Sequence, residues 1–180
     1  MTPDPNGPRK VTVLGAGSWG TTFAKVLADA AADVGAQRTV CLWGRDPESM
    51  QRIARKHRND RYVPEIELPE TLEYSSDLRS ALAGADLVVA AIPAQSLRAQ
   101  LGAAASYVEP EAVILSLAKG LESGTGLRMT QVIAQVLAEH TQRTAEEWAR
   151  RTCVLSGPNL AMEIARERGD RRLRAEYLLL

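Results

Sequence analysis

KVTVLGAGSWG, residues Lys10 to Gly20, is the stretch that decides the fold. Lys10-Val11-Thr12-Val13-Leu14 reads as a buried strand ended by Gly15, and a helix is predicted from about Ser18 to Ala32. Between them, Gly15-Ala16-Gly17-Ser18-Trp19-Gly20 spells GxGxxG in the setting that gives the spacing its meaning, after a strand and opening a helix. Each glycine has a physical reason. Gly15 permits the tight turn, Gly17 lets the backbone approach a pyrophosphate, and Gly20 lets the helix pack closely on the strand. The free amides and partial positive charge of the helix N-terminus then suit dinucleotide phosphates. A strand-to-helix turn without a ligand is the plain alternative.

Outward from that turn, strands and helices alternate. Apolar runs at Thr39–Trp43, Leu72–Tyr74, Asp86–Ile92, Ala112–Leu117 and Thr152–Leu155 read as strands. Helices are predicted from Asp46-Pro47-Glu48 to about His57, from a Ser76-Asp77 cap to Leu82, and over Gln95–Ala104, Leu127–Glu139 and Ala145–Arg150. Asn59–Pro69, with two prolines, reads as loop. Most strands are apolar throughout, the mark of a sheet covered on both faces. The expected fold is α/β, a doubly wound, Rossmann-type, mostly parallel sheet.

Composition narrows the function. Of the 180 residues 45% are hydrophobic, which argues against disorder, and the formal net charge is zero, which argues against a general nucleic-acid or membrane-surface role. No run approaches 18 apolar residues, so no membrane span is predicted. Met1–Pro8 is polar, lacks the apolar core of a signal peptide, and reads as a short disordered lead-in; a cytoplasmic location follows as the default. Cys41 and Cys153 fall in separate strands and are expected to be small buried hydrophobes, with neither a disulfide nor a metal site. His57 and His140 lie near helix C-termini and read as ordinary surface histidines.

In such a sheet, ligands bind outside the carboxyl ends of the strands, where the strand order reverses. Four segments with unusual residues follow strands: the glycine turn, Ile92-Pro93-Ala94-Gln95-Ser96, Ser116-Leu117-Ala118-Lys119-Gly120 and Ser156-Gly157-Pro158-Asn159. Lys119 offers a flexible ammonium to a phosphate or a substrate hydroxyl, or else marks the solvent boundary of its strand. The Ser156–Asn159 segment opens a helix whose amides suit an anion or the nicotinamide amide group, or is a simple capped start. Pro93 shapes the loop over the nicotinamide or only ends a strand. Trp19 packs over the cofactor or belongs to the core of the first helix. Arg45, after the second strand, is placed to pair with a 2′-phosphate, which leans to NADP or to use of both NADP and NAD. Asp46 competes as a ribose ligand, although a cap role looks sufficient for it, and Arg45 has the reading of a solvated surface residue.

Six stretches together resemble bacterial NAD(P)-dependent glycerol-3-phosphate dehydrogenase: GAGSWGTTFA from Gly15, LWGRD from Leu42, RYVPEIELP from Arg61, AIPAQSLR from Ala91, SLAKGLE from Ser116 and LSGPNLAMEIA from Leu155. They cover about Val11 to Ala165 in the family's order. The glycine turn is shared by many dehydrogenases; the pairing of SLAKG with SGPN is far more specific. The resemblance implies reversible hydride transfer between NAD(P)H and dihydroxyacetone phosphate, giving sn-glycerol 3-phosphate for phospholipid synthesis. It implies that Ser18, Trp19 and Arg45 contact the dinucleotide, that Lys119 contacts cofactor and substrate, that Gly157 and Asn159 lie at the substrate, and that Ala161 lies near the cofactor.

After Ala165 the resemblance stops. The family continues into a further strand and a helical domain that carries the lysine thought to act as general acid/base, whereas Arg166–Leu180 has five arginines, three acids and a terminal Leu178-Leu179-Leu180. The expected organisation is a lead-in over 1–9, a dinucleotide-binding domain over 10–165 and an atypical tail over 166–180. A truncated or frame-shifted product with no catalytic residue of its own and little turnover is expected. The surface the helical domain would cover favours aggregation or a partner, a second copy included. Two alternatives stay open: a related two-domain hydroxy-acid dehydrogenase, and a non-catalytic dinucleotide-binding module.

Overall fold

The computed structural model describes residues 7–33, 35–157 and 161–166. Six strands form one sheet: β1 (Lys10–Leu14), β2 (Thr39–Trp43), β3 (Leu72–Ser75), β4 (Leu87–Ala90), β5 (Val113–Ser116) and β6 (Thr152–Val154). Every pairing is parallel, and the order across the sheet is β3-β2-β1-β4-β5-β6. The helices are α1 (Ser18–Asp33), α2 (Pro47–Lys56), α3 (Leu78–Leu82), α4 (Ala94–Ala104), α5 (Met129–His140), α6 (Ala145–Arg150) and α7 (Ala161–Arg166). The expected α/β doubly wound architecture is present, with the order reversing between β1 and β4.

Both faces of the sheet are buried, which is why its strands are apolar throughout. Val11, Val13, Val40, Leu42, Val89 and Leu115 pack under α1 and α2 with Phe23, Leu27, Met50 and Ile53. Leu14, Cys41, Trp43, Val88, Ala90 and Ile114 pack on the other face with Leu82, Leu97, Leu101, Ile133, Leu137 and Trp148. The one fully buried polar side chain of β1 is satisfied: Thr12 donates to the Ala81 carbonyl at 2.6 Å. At the start of β1, the Arg9 and Lys10 amides donate to the Asp86 carboxylate, 2.8 and 3.0 Å, which holds that carboxyl below its ordinary range. This contact fixes the register of β1 beside β4.

Three local expectations need correction. Asp46 stands at the N-cap of α2 in extended conformation, but its side chain makes no cap hydrogen bond; Pro47 supplies the helix start instead. The cap role therefore does not account for Asp46, whose exposed carboxylate stands beside exposed Arg45. Cys153 is exposed rather than buried, because β6 is an edge strand, while Cys41 is buried and its thiol is pushed up to about 11 by burial. His57 is not an ordinary surface residue. It closes α2 in the left-handed region, φ 47°, and its half-buried ring stands edge-on to Tyr74 at 5.9 Å. His140 is exposed at the end of α5, as expected. Of the lead-in over 1–9 and the tail over 166–180, residues 1–6 and 167–180 lie outside the described residues.

Candidate functional site

The glycine turn leaves β1 at the reversal point of the sheet. Gly15 takes φ +116°, and a Cβ there would stand 2.5 Å from the Ala91 carbonyl oxygen, so the turn is pressed against the end of β4. A Cβ on Gly20 would stand 1.9 Å from the Gly15 carbonyl oxygen. Gly17 is the opposite case, with nothing within 4 Å of the place a Cβ would occupy. Two glycines are thus required by packing, and the middle one borders open space at the N-terminus of a 16-residue helix. That is a cradle a pyrophosphate fits, and it fits a dinucleotide on the geometry alone.

The end of β2 closes on the same turn. A Cβ on Gly44 would stand 3.1 Å from the Ala16 Cβ, so Arg45, the next residue and exposed, reaches solvent beside the cradle. A guanidinium there can form paired hydrogen bonds with a phosphate. Trp19 is half-buried and packs against the α1 face of the core, its ring tilted on Phe23 at 6.0 Å. Ser18 spends its hydroxyl proton on the Tyr62 carbonyl, 3.1 Å away, leaving the oxygen lone pairs as acceptors.

On the other side of the reversal, Pro93 is exposed and opens α4 from extended conformation, φ −56° and ψ 138°. Lys119, two residues past buried Leu117, is exposed, and its Nζ donates to the Gly157 carbonyl at 2.8 Å. The segment after β5 and the segment after β6 therefore meet. With strands about 4.8 Å apart, the ends of β1, β4, β5 and β6 span about 14 Å along one edge of the sheet. Ala161 opens α7, and its carbonyl accepts from Thr22 of α1 at 3.2 Å, which brings it close to the glycine turn. Pro158 and Asn159 lie outside the described residues.

Two sets of contacts escape sequence reasoning. Asn59, in the segment read only as loop, is buried at 3% exposure and donates to the Ala16 carbonyl at 3.0 Å and to the Thr21 hydroxyl at 2.8 Å. Nothing in the pattern around it separates Asn59 from an ordinary loop polar residue. The second set holds the segment after Lys119. Gln95 of α4 donates to the Leu121 carbonyl and accepts from the Ser123 amide, and Arg98 grips Glu122 through two 2.9 Å hydrogen bonds. The Arg98 and Thr125 donors hold the Glu122 carboxyl down at about 2. Gln95 and Arg98 belong to the AIPAQSLR stretch, so their presence near a strand end was visible but their partners were not.

Among the described residues no three His, Cys, Asp or Glu side chains group as a metal site, and no helix is long and apolar enough to cross a membrane.

Comparison with known proteins follows the same outline. The family described as NAD-dependent glycerol-3-phosphate dehydrogenase N-terminus matches residues 10–169. A glycerol-3-phosphate dehydrogenase [NAD(P)+] of Nocardia farcinica is 51% identical over 161 residues, covering 87% of this chain and 44% of that protein. One from Thermobifida fusca is 51% identical over 156 residues, with 87% and 43% covered. The crystal structure of glycerol-3-phosphate dehydrogenase from Coxiella burnetii superposes with a TM-score of 0.69 at 28% identity, over 87% of this chain and 43% of that one. The chain thus spans less than half the length of these relatives, and both curated names give NAD or NADP as the cofactor. A match over nearly the whole chain is decisive: the chain belongs to the NAD-dependent glycerol-3-phosphate dehydrogenase N-terminal family.

Proposed function

We propose that residues 10–165 are the dinucleotide-binding part of an enzyme that transfers a hydride reversibly between NADPH or NADH and dihydroxyacetone phosphate, giving sn-glycerol 3-phosphate for phospholipid synthesis. The observation that carries this reading is the Lys119 Nζ to Gly157 oxygen bond, 2.8 Å, which joins the segments after β5 and β6 and sets an ammonium at the sheet edge where the glycine turn also lies. The nicotinamide, when bound, supplies or accepts the hydride. The chain's own residues bind and orient. Gly15, Gly17 and Gly20 with the start of α1 receive the pyrophosphate, Ser18 and Trp19 border it, and Arg45 takes a 2′-phosphate. Pro93 and Ala161 border the cofactor from β4 and α7. Lys119 spends one of its three N–H groups on Gly157, leaving two for cofactor and substrate oxygens. Gly157 and Asn159 are assigned to the substrate in this reading.

Reduction of a carbonyl needs a positioned acid for the developing alkoxide. The family resemblance places that lysine outside residues 1–180, so the 180-residue chain by itself is expected to bind a dinucleotide and to turn over little. For that chain the description as a binding module without turnover fits the same geometry. A cytoplasmic location, no nucleic-acid partner and homo-oligomerisation complete the proposal. Titration with NADPH and NADH, followed by energy transfer from tryptophan, tests it. Saturable binding that Gly17→Trp weakens is expected. Absence of binding in a chain with a folded circular-dichroism spectrum refutes the cofactor half of the reading, and robust reduction of dihydroxyacetone phosphate refutes the expectation of little turnover.

A further inference from the structure

We infer that Asn59 is a positioning residue for the dinucleotide pyrophosphate, aiming the Gly17 amide into the cradle through its hydrogen bond to the Ala16 carbonyl. The inference rests on the dinucleotide reading of the glycine turn and adds to it a side chain outside the GxGxxG stretch.

The geometry begins with one peptide plane. Ala16 and Gly17 share a trans peptide, in which the carbonyl and the amide N–H point in opposite directions. Asn59 Nδ2 donates to the Ala16 oxygen at 3.0 Å from the buried side of the turn. The Gly17 N–H on the same plane is therefore turned away from Asn59. Beyond Gly17 there is open space, with no atom within 4 Å of a would-be Cβ. Were the plane flipped, a carbonyl oxygen would face the incoming phosphate in place of a donor, exchanging attraction for repulsion. The second Nδ2 proton goes to Thr21 Oγ1 at 2.8 Å, so the amide is anchored to the first turns of α1 as well and cannot swing away without losing both bonds.

Asn59 is itself held. Its carbonyl accepts from the amides of Tyr62, 3.1 Å, and Val63, 2.9 Å, closing a turn. Val63 is buried against Ile66, Ala165 and Met162, which roots the turn on α7. The Ser18 hydroxyl bonds the Tyr62 carbonyl from the helix side, 3.1 Å. The glycine turn is thus backed by a second layer of chain that never needs to touch the ligand. Aspartate at this position would present oxygen toward the Ala16 oxygen, and alanine would leave that carbonyl unbonded, so the amide donors of asparagine are what the contact uses.

The experiment compares the Kd for NADPH and for NADH in the 180-residue chain, in Asn59→Ala, in the milder Asn59→Ser and in Ile133→Val, a core change in α5 on the other face of the sheet. Measurements are made well below each variant's Tm. There the folded fraction is close to one, so a loss of stability alone leaves Kd unchanged. The expected result is a Kd about tenfold weaker for both dinucleotides in Asn59→Ala and a smaller loss in Asn59→Ser. The NADPH to NADH ratio stays that of the wild type, and Ile133→Val binds like the wild type although its Tm is lower. Gly17→Trp serves as the control for the underlying reading. If it abolishes binding while both Asn59 variants keep the wild-type Kd, the role given to Asn59 is overturned and the glycine turn stands. If the wild type binds neither dinucleotide, or Gly17→Trp binds as well as it does, both readings fall.

Discussion

Replacing Gly20 by alanine should cost stability, whereas the same change at Gly17 should cost only affinity. A Cβ on Gly20 would lie 1.9 Å from the Gly15 carbonyl oxygen and 3.0 Å from the Ala91 Cβ. An ordinary C···O approach is no closer than about 3.3 Å, so roughly 1.4 Å of separation must be found between two pieces of backbone. Neither can yield as a flexible side chain would, because Gly15 is bonded to the Trp43 carbonyl through its amide and abuts β4. Overpacking of this kind costs about 3 kcal/mol at the upper end of its usual range. Alanine recovers about 1 kcal/mol of helix propensity. The net loss of about 2 kcal/mol corresponds to a fall in Tm of about 4–8 °C for a domain of this size. At Gly17 nothing stands within 4 Å and φ is outside the left-handed region, so Gly17→Ala should keep or slightly raise Tm. Its methyl enters the cradle, and the NADPH Kd should rise at least fivefold. Thermal melts of the two variants, each followed by titration, decide the matter. A Tm for Gly20→Ala within 1 °C of wild type, or equal Tm losses at both sites, would refute the packing argument.

Four further outcomes follow from the structure. Cys153 should react with a thiol reagent in the native chain at pH 8, while Cys41, buried and with its thiol raised to about 11, should react only after denaturation; thiol counts of one and then two check this. Glu122 has a folded carboxyl at about 2, below its ordinary 4.5. Because the unfolded chain takes up that proton first, the contribution of Glu122 is present above about pH 4.5 and lost as pH falls toward 2. Arg98→Met should flatten the Tm profile over that window. Arg45→Glu should weaken NADPH about tenfold or more and leave NADH within threefold, and equal losses for both would remove Arg45 from the 2′-phosphate. Lys119→Ala should leave Tm within 1 °C, since the side chain is exposed, yet weaken dinucleotide binding; unchanged affinity would confine Lys119 to the solvent boundary of β5.

The parallel sheet was legible because β1, β2, β4 and β5 are buried on both faces, and uninterrupted apolar runs follow directly from that. The glycine turn was legible because two of its glycines answer to steric contacts that no other residue satisfies. The carboxyl-end rule then brought Lys119 and Gly157 to one edge, and the 2.8 Å bond between them agrees with it. What escaped was contact between irregular segments. Asn59 reaches back 43 residues to Ala16, and Arg98 reaches forward 24 to Glu122. Such bonds have no period and leave no trace in local pattern. Cys153 was misjudged for a related reason: apolar neighbours marked a strand, but only the strand order reveals that β6 is at the edge.

The Asp86 carboxylate on the Lys10 amide, 76 residues away, makes β1 a strand that waits. It lies at the centre of the sheet yet is made before every other strand. At synthesis rates of about 5–20 residues per second, β4 follows it by about 4–15 s. During that interval the chain can offer β1 only α1, β2, α2, β3 and α3. Closing the loop to β4 costs on the order of 4 kcal/mol of chain entropy, about 2 kcal/mol more than an eight-residue connection. The nascent glycine turn is therefore without the Ala91 buttress that sets its shape, and cofactor cannot act as an early folding template. Chaperone capture is expected to concentrate on the span from β1 to α3, and to end once β4 docks beside β1.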